Sequence, residues 1–421
     1  MFLLIVLLPL LVFLPLHASL LAVRLANAPV LGPAEFAPLG LFIGVLLAVY
    51  LTLRLARYGG SPAVPSILLT LLGIGIALQF RIGTLQTVIE TASPSRFAIP
   101  LGVLVMLGAY LALRHGRINR LEPYWGVFLG LALCVILGVV VLGHGFRGAK
   151  FLAGGMNPVE IVKPLLVVAI ASILAGHRLL LRRGFAGIPL PPLNILVTVG
   201  IVWLPPMALL IVQGDFGMFA LLNLTLLVML SAVTNRAFYL LGGLAAVFFA
   251  ARLLIPLTKR GQARLSAWLD PFAKATSTGW QPLQALVALY SGGLFGTGFG
   301  AGSPNAVPIV ESDFAFVIVG EELGFVGCLF LMALYIGLVV SGMRVASRAH
   351  SAYSACIATG LTACLGIQTL LNVGGVVKAI PLTGIPLPLL SHGGSSLVTT
   401  LLIGGILLAI SDEHPSLKRK K

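Results

Sequence analysis

Carboxylates are scarce in this chain, which has 12 Asp and Glu residues against 27 Lys and Arg residues among its 421. Asp313 is the most suggestive of them, because it lies in the run Val307-Pro-Ile-Val-Glu-Ser-Asp-Phe314 directly before a long apolar stretch. A carboxylate in that position caps the N-terminus of a helix, or it acts as a general base once burial raises its pKa. Residue type and position leave both roles open.

Three cations are candidates for binding an anionic group such as a phosphate. Lys378 precedes the proline-containing run Ala379-Ile-Pro-Leu-Thr-Gly384, and Arg260 and Arg264 lie in the one long hydrophilic segment of the chain. Such cations suit a phosphate, although a basic side chain near a membrane surface also reaches water without any ligand. The residues alone do not decide between these interpretations.

Other charged residues have structural interpretations. Glu160 and Lys163 are three residues apart inside an apolar stretch, so they share one face of a helix. Such a pair holds a fold together or marks a functional path, and we interpret it as a structural ion pair. Asp215 fits a helix cap, and Glu321 and Glu322 lie near a helix start, where the helix dipole favours acids.

Two stretches rich in small residues permit tight turns and close backbone approach. One is Ser291-Gly-Gly-Leu-Phe-Gly-Thr-Gly-Phe-Gly300, called here the glycine-rich segment, and the other, with three prolines, is Lys378-Ala-Ile-Pro-Leu-Thr-Gly-Ile-Pro-Leu-Pro-Leu-Leu-Ser-His-Gly-Gly-Ser-Ser396. No strand–helix unit surrounds the first, which argues against a dinucleotide site. We expect an extended or re-entrant loop that packs on protein or lines a cavity, because irregular backbone at membrane depth needs such surroundings.

Membrane helices must position these residues. Apolar residues make up 58% of the chain, charged residues 9%, and the mean hydropathy is +1.07. These few charges cannot cover a water-soluble fold, so we predict an all-α polytopic membrane protein. The net charge of +15 then reflects topology and anionic lipid instead of nucleic acid. The cysteine spacing indicates no metal site. We predict about twelve spans, near residues 1–23, 35–57, 63–82, 97–113, 125–143, 157–176, 191–212, 216–232, 236–256, 313–342, 354–377 and 391–411.

Basic residues indicate the orientation of these spans. If the N-terminus is cytoplasmic, more than half of the 27 Lys and Arg residues fall in inside loops or in the basic tail. By the positive-inside rule both termini are then cytoplasmic, and one long segment over 257–312 is extracytoplasmic. Asp313 and Lys378 fall on the extracytoplasmic side of this topology.

Several motifs occur in a fixed order along the chain. They are Asn157-Pro-Val-Glu-Ile-Val-Lys163, Gln213-Gly-Asp-Phe-Gly217, Gln281-Pro-Leu-Gln284 with Ala288-Leu-Tyr-Ser-Gly-Gly293, Ser312-Asp-Phe314 with Gly320-Glu-Glu-Leu-Gly324, and Pro381-Leu-Thr-Gly-Ile-Pro-Leu-Pro388 with Ser391-His-Gly-Gly-Ser-Ser396. With these motifs the chain resembles the SEDS proteins, the bacterial group of RodA, FtsW and SpoVE. It departs from the family pattern at His392, where Tyr is usual, and at Val159, where Ser is usual.

The resemblance also implies a division of the chain. The family commonly has ten spans, which correspond to a core over 63–411 that includes the 257–312 loop. Residues 1–62 are then two additional N-terminal transmembrane helices, and residues 412–421 form a basic cytoplasmic tail.

The resemblance implies a peptidoglycan glycosyltransferase that polymerises lipid II at the outer face of the bacterial cytoplasmic membrane. Such an enzyme inverts the anomeric centre and releases undecaprenyl pyrophosphate, in cell elongation or division. The implied partners are a class B penicillin-binding protein, which is a transpeptidase, other elongation or division machinery and membrane lipid, but no nucleic acid.

The resemblance also assigns roles to individual residues. Asp313 is the general base, and Lys378, Arg260 and Arg264 face the pyrophosphate. No cofactor is certain, although a divalent cation could share the work of these cations. The remaining substrate-binding candidates are Gln284, Ser291, Ser395 and Ser396.

Three alternatives stay open. A flippase or transporter for lipid-linked precursor fits the span number and the charged pair of Glu160 and Lys163, but no inverted repeat is evident. Another lipid-linked glycosyltransferase, such as an O-antigen ligase, fits the glycine-rich and proline-rich motifs less well. A scaffold without activity that recruits the transpeptidase is disfavoured by the intact motif around Asp313.

Overall fold

The structure, a computed structural model, describes residues 2–27, 32–83, 97–146, 149–151, 157–183, 193–254 and 259–413. A short antiparallel hairpin pairs β1, His144–Phe146, with β2, Ala149–Phe151. Short 3-10 helices cover Pro33–Phe36, Arg117–Tyr124, Pro158–Ile161, Phe272–Lys274 and Pro304–Ala306. The α-helices of the described ranges are α1 Phe2–Asn27, α2 Ala37–Leu55, α3 Ala63–Arg81, α4 Ala98–Leu113, α5 Trp125–Leu142, α6 Val162–Gly176, α7 Arg178–Arg183, α8 Leu193–Gln213, α9 Phe216–Thr234, α10 Ala237–Leu254, α11 Lys259–Leu269, α12 Trp280–Gly292, α13 Ala315–Arg348, α14 Ala352–Val376 and α15 Gly394–Ser411.

The predicted all-α membrane architecture is confirmed. Each predicted apolar span contains a helix, and ten helical spans among the described residues are long and apolar enough to cross a membrane. Helices dominate because the hydrocarbon core offers no water, so each backbone N–H and C=O group bonds within its own segment. α4 has 16 residues, fewer than the roughly 20 of a full crossing. The total of twelve spans and the side on which 257–312 lies stay predictions.

The chain divides into two compact units. The first unit contains α1, α2, α3 and α12, and it also contains Arg264, Asp313 and Lys378. The predicted division into 1–62, 63–411 and 412–421 stays a prediction. The first unit consists of Met1–Gly108, Ala263–Ser341 and Gln368–Gly404, and the second of Ala109–Gln262, Gly342–Ile367 and Gly405–Lys421.

In the first unit, α3 supports the proline-rich loop, residues 378–390. The helix is buried along most of its length. Its Gly75 lies against the backbone of Leu389 with no room for a side chain. The Gln79 side-chain amide donates to the Leu390 carbonyl at 2.9 Å, which satisfies a buried polar group. The loop that carries Lys378 is therefore held by a buried helix.

The glycine-rich segment packs on a kink in α13. Gly324 interrupts this helix with φ +69°, a conformation that glycine adopts without steric cost. At this interruption, backbone groups of α13 form hydrogen bonds outside the helix, and their partners are backbone groups of the glycine-rich segment. Thr297 N donates to Glu321 O at 3.0 Å, and Phe325 N donates to Gly293 O at 3.0 Å. The extended loop that packs on protein, as expected from the sequence, is therefore observed.

The second unit contains the charged pair of Glu160 and Lys163 and also Asp215. The side chains of Glu160 and Lys163 form an ion pair, and both residues are buried. Its contribution to holding the fold stays a prediction. Asp215 caps α9 as expected, because its Oδ1 accepts a hydrogen bond from Met218 N at 2.9 Å.

Candidate functional site

Asp313 lies two residues before α13 begins at Ala315, and its side chain is partly exposed. Its backbone carbonyl accepts a hydrogen bond from Asn372 Nδ2 at 2.9 Å. The same nitrogen donates to Ile385 O in the proline-rich loop at 2.8 Å. One amide group on α14 therefore fixes the backbone of Asp313 to that loop.

Asn372 is a site residue that sequence reasoning missed. It is 2% exposed and lies in the largely apolar run Thr369-Leu-Leu-Asn-Val373 of α14. A buried amide in a membrane helix is costly unless it has hydrogen-bond partners, and such residues are often functional. The signal that could have identified it is an asparagine in a largely apolar run.

Arg264 and Asp313 approach the same glycine of the proline-rich loop. The Arg264 Nη1 atom donates to Thr383 O at 2.8 Å. A Cβ atom built on Gly384 would lie 2.8 Å from Arg264 Nη2 and 3.8 Å from Asp313 Oδ2. The guanidinium and the carboxylate thus both approach Gly384, and a side chain at this position would displace the end of the Arg264 side chain. Gly384 also has φ +74°, a backbone conformation that favours glycine.

Lys378 lies at the start of the same loop, where α11 makes a second contact. Trp268 Nε1 donates to the carbonyl of Lys378 at 3.0 Å. Trp268 is four residues after Arg264, so both side chains lie on one face of α11. The Lys378 side chain is partly exposed. Helix α11 therefore docks on the proline-rich loop through two of its side chains.

The other predicted site residues lie elsewhere in the described chain. Arg260 is in the first turn of α11, and its side chain lies outside the described part. Gln284 is partly exposed on α12. Ser291 is exposed near the end of α12, and its Oγ donates to Ala288 O of the same helix at 2.8 Å. The substrate-binding roles of these residues stay predictions.

Ser395 and Ser396 occupy the first turn of α15. Ser396 is 5% exposed, whereas Ser395 is partly exposed. Buried serine in a membrane helix is ordinary packing, so only the position of Ser395 suits contact with a ligand. The predicted roles of both residues in substrate binding are untested.

Glu321 and Glu322 have a structural role, as expected. Their carboxylates bind backbone N–H groups and a guanidinium, whereas the sequence suggested an interaction with the helix dipole. Glu322 Oε1 pairs with Arg81 Nε at 2.8 Å, and its Oε2 accepts from Gly300 N at 2.9 Å. Glu321 Oε1 accepts from Ser303 N at 2.8 Å. The two carboxylates thus hold the end of the glycine-rich segment on α13. The sequence could not reveal this, because the partners are more than fifteen residues away.

A small cavity of about 50 Å³ lies beside the proline-rich loop. Its wall is mostly apolar, with Gln79, Ser391 and His392 as polar members. The backbone N–H of His392 donates to Glu311 O at 2.6 Å. Burial lowers the pKa of the His392 imidazole below its ordinary value, against the opposing charge of Glu311. The imidazole that replaces the usual Tyr therefore favours its neutral form.

The described part of the site shows no ready-made cluster of metal-ligating side chains. Within the described ranges no three His, Cys, Asp or Glu side chains are grouped to hold a metal ion. Positive charge beside Asp313 comes instead from the guanidinium of Arg264. The prediction that a divalent cation takes part stays a prediction, and no step below depends on it.

Comparisons with known proteins agree with this geometry. The sequence profile of the cell cycle protein family FtsW/RodA/SpoVE matches residues 62–416. The peptidoglycan glycosyltransferase RodA of Mycobacterium tuberculosis is 32% identical over 410 residues, which cover 94% of this chain and 87% of that protein. A probable peptidoglycan glycosyltransferase FtsW of Bacillus subtilis is 30% identical over 324 residues, which cover 73% of this chain and 77% of that protein.

The fold also has a counterpart among solved structures. One chain, from work on the structural coordination of polymerization and crosslinking by a peptidoglycan synthase complex, matches with a TM-score of 0.65. It is 23% identical and covers 84% of this chain and 98% of its own length. At this identity the match establishes a shared fold.

Proposed function

The chain belongs to the FtsW/RodA/SpoVE family of cell cycle proteins, and we propose that it polymerises lipid II into glycan strands with Asp313 as general base. Its relatives carry the name peptidoglycan glycosyltransferase, and this is the activity of the chain. The observation that supports the assignment of the site is the meeting of Asp313 and Arg264 at Gly384. These residues come from three distant parts of the sequence.

The reaction requires a base and a cation close together. The disaccharide of lipid II is α-linked to undecaprenyl pyrophosphate, and the new bond is β-1,4, so attack comes from the face opposite the leaving group. The base takes the proton of the acceptor 4-hydroxyl while the bond from C1 to the pyrophosphate oxygen breaks. Negative charge then develops on the pyrophosphate, which a nearby cation stabilises.

The described geometry supports this division of work. The partly exposed carboxylate of Asp313 is open to a hydroxyl group, and its backbone is held by Asn372. The guanidinium of Arg264 presents planar donors of the kind that bind phosphate oxygens. Lys378, at the start of the proline-rich loop that Arg264 contacts, adds a second cation. A role of Arg260 in binding the pyrophosphate stays a prediction from the sequence.

The reaction takes place on the extracytoplasmic side of a bacterial membrane, and both termini are cytoplasmic. The multi-pass membrane character is established by the family and by the apolar helices. The distribution of basic residues supports the orientation. A class B penicillin-binding protein crosslinks the strands, as is typical for the family. A chain of the same fold comes from a complex that couples polymerization with crosslinking, which supports such a partner.

Asp313→Asn tests the assignment of the base. Asparagine keeps the size of the side chain and caps a helix about as well as aspartate, but it does not accept the hydroxyl proton. We expect a folded, membrane-inserted protein whose polymerisation rate is lower by about 10²-fold or more. The assay is glycan-strand formation from purified lipid II by the full-length chain, with a partner transpeptidase present.

Asp270→Asn is the matched control, because Asp270 is an exposed acid of the same exterior segment. Its Oδ1 accepts from Ala273 N at 3.0 Å, and we expect near-normal polymerisation. A near-normal rate for Asp313→Asn would refute the base assignment. Movement of lipid II across liposome membranes by wild-type protein that forms no strands would favour the flippase alternative.

A further inference from the structure

The N-terminal helix α1 contacts the glycine-rich segment directly. Ser19 Oγ donates to the backbone carbonyl of Phe299 at 2.8 Å. The next residue of the segment, Gly300, faces the same helix. A Cβ atom built on it would lie 3.2 Å from side-chain atoms of both Leu20 and Val23. The segment is therefore seated against α1 by one hydrogen bond and by close packing, and α1 precedes the part of the chain that the family profile matches, 62–416.

α1 is itself firmly held within the first unit. Ser66 Oγ of α3 donates to the carbonyl of Leu4 at 3.0 Å. Near the other end of α1, the Arg24 guanidinium lies 4.4 Å from the centre of the Phe80 ring and pairs with Glu35 at 2.6 Å. Contacts at both ends fix the helix along α3. Because α1 is held in this way, a segment that packs on it is also held in a fixed position.

The opposite side of the same segment is held by α13. Gly300 N donates to Glu322 Oε2 at 2.9 Å. The Arg81 side chain donates to both Glu322 Oε1, at 2.8 Å, and the carbonyl of Gly302, at 2.7 Å. The residues 299–303 thus lie between α1 on one side and α13 with Arg81 on the other. The chain then runs through 304–312, where the carbonyl of Glu311 accepts from His392 N at 2.6 Å, to Asp313, whose carbonyl accepts from Asn372.

We infer that α1 is a brace that fixes residues 299–303 on α13 and so positions the exterior segment that leads to Asp313. Ser19 is a positioning residue of this brace. The inference gives α1, one of the two predicted additional N-terminal helices, a role in the reaction instead of a role in membrane attachment alone. It rests on the proposed function only for its effect on polymerisation, since the brace itself is a statement about the folded chain.

Hydrogen–deuterium exchange on the purified full-length protein tests the brace. Ser19→Ala removes the hydrogen bond to Phe299, and we expect exchange of the amides of 299–303 to be faster by about fivefold, the effect of one lost hydrogen bond. Ser19→Thr keeps the hydroxyl group and should restore slow exchange. Leu11→Ala is the control, because Leu11 lies on the same helix and is 67% exposed. Wild-type exchange in Ser19→Ala would overturn the brace.

Polymerisation kinetics test the link to the reaction. A loosened segment must be ordered when substrate binds, so Ser19→Ala should raise KM for lipid II about threefold to fivefold while kcat stays within about twofold. Ser19→Thr and Leu11→Ala should match wild type. Unchanged KM in Ser19→Ala with faster exchange would overturn the positioning role. Wild-type protein without polymerase activity would contradict the proposed function, while the exchange experiment would still decide on the brace.

Discussion

Substitution of Gly384 by alanine probes the meeting of carboxylate and guanidinium without touching either charge. The new methyl carbon would lie 2.8 Å from Arg264 Nη2. Non-bonded carbon and nitrogen atoms rest at about 3.5 Å or more, so the guanidinium must move by roughly 0.7 Å. A misplacement of about 1 Å in a catalytic group costs up to about 10²-fold in rate. We therefore expect Gly384→Ala to polymerise lipid II about 10- to 100-fold more slowly.

The backbone adds a second cost that needs its own control. At φ +74° an alanine is disfavoured by about 1–2 kcal/mol relative to glycine. Gly83 has a similar φ of +76°, and among the described residues no atom lies within 4 Å of the position of its missing Cβ. Gly83→Ala therefore carries the same backbone cost without displacing a side chain. We expect it to lower thermal stability while polymerisation stays near the wild-type rate.

A double-mutant cycle decides whether Gly384→Ala acts through Arg264. Arg264→Ala alone should slow polymerisation by about 10²-fold, the typical effect of removing one group that stabilises developing charge. With the guanidinium gone, Gly384→Ala should cost no more than about threefold further, because coupled residues are not additive. Fully additive losses would refute the reasoning, since they would place the effect of Gly384→Ala in the loop backbone and not in Arg264.

Three further predictions concern the cations, pH and topology. Lys378→Ala should slow polymerisation, whereas Lys378→Arg should retain more activity, because only the alanine variant loses the charge that faces the pyrophosphate. Equal rates for wild type and both variants would show that Lys378 is only an interfacial lysine. Because the folded pKa of His392 is lowered, the unfolded chain binds more protons, so thermal stability should fall as pH drops below the ordinary value of 6.5. His392→Gln should lose part of that pH dependence in thermal unfolding, and an unchanged profile would contradict the assignment. A cysteine at Thr276 should react with an impermeant reagent on whole cells and one at Ser416 only after lysis; the reverse pattern would place the site on the wrong side of the membrane.

Much of the architecture and part of the site were predictable from the sequence for one physical reason. In a membrane each apolar stretch must satisfy its backbone internally, so its length and composition already require a helix, and a helix is found in every predicted span. Asp313, Arg264 and Lys378 could be singled out as candidates because charged residues are rare in such a chain, and their roles in the reaction stay predictions. Capping by Asp215 followed from local chemistry in the same way.

The tertiary structure alone decided which of these residues meet. Asn372 binds the backbone of Asp313 across 59 positions of sequence, and Arg264 binds Thr383 across 119. No local pattern encodes such contacts, because they depend on how helices pack and not on the propensity of any one of them. Gly384 shows the difference most clearly: its sequence neighbours indicate a turn, whereas only the folded chain shows that Arg264 and Asp313 both approach it. The contact of Ser19 with Phe299 spans 280 positions, and it exists only because α1 lies along α3 in the folded chain.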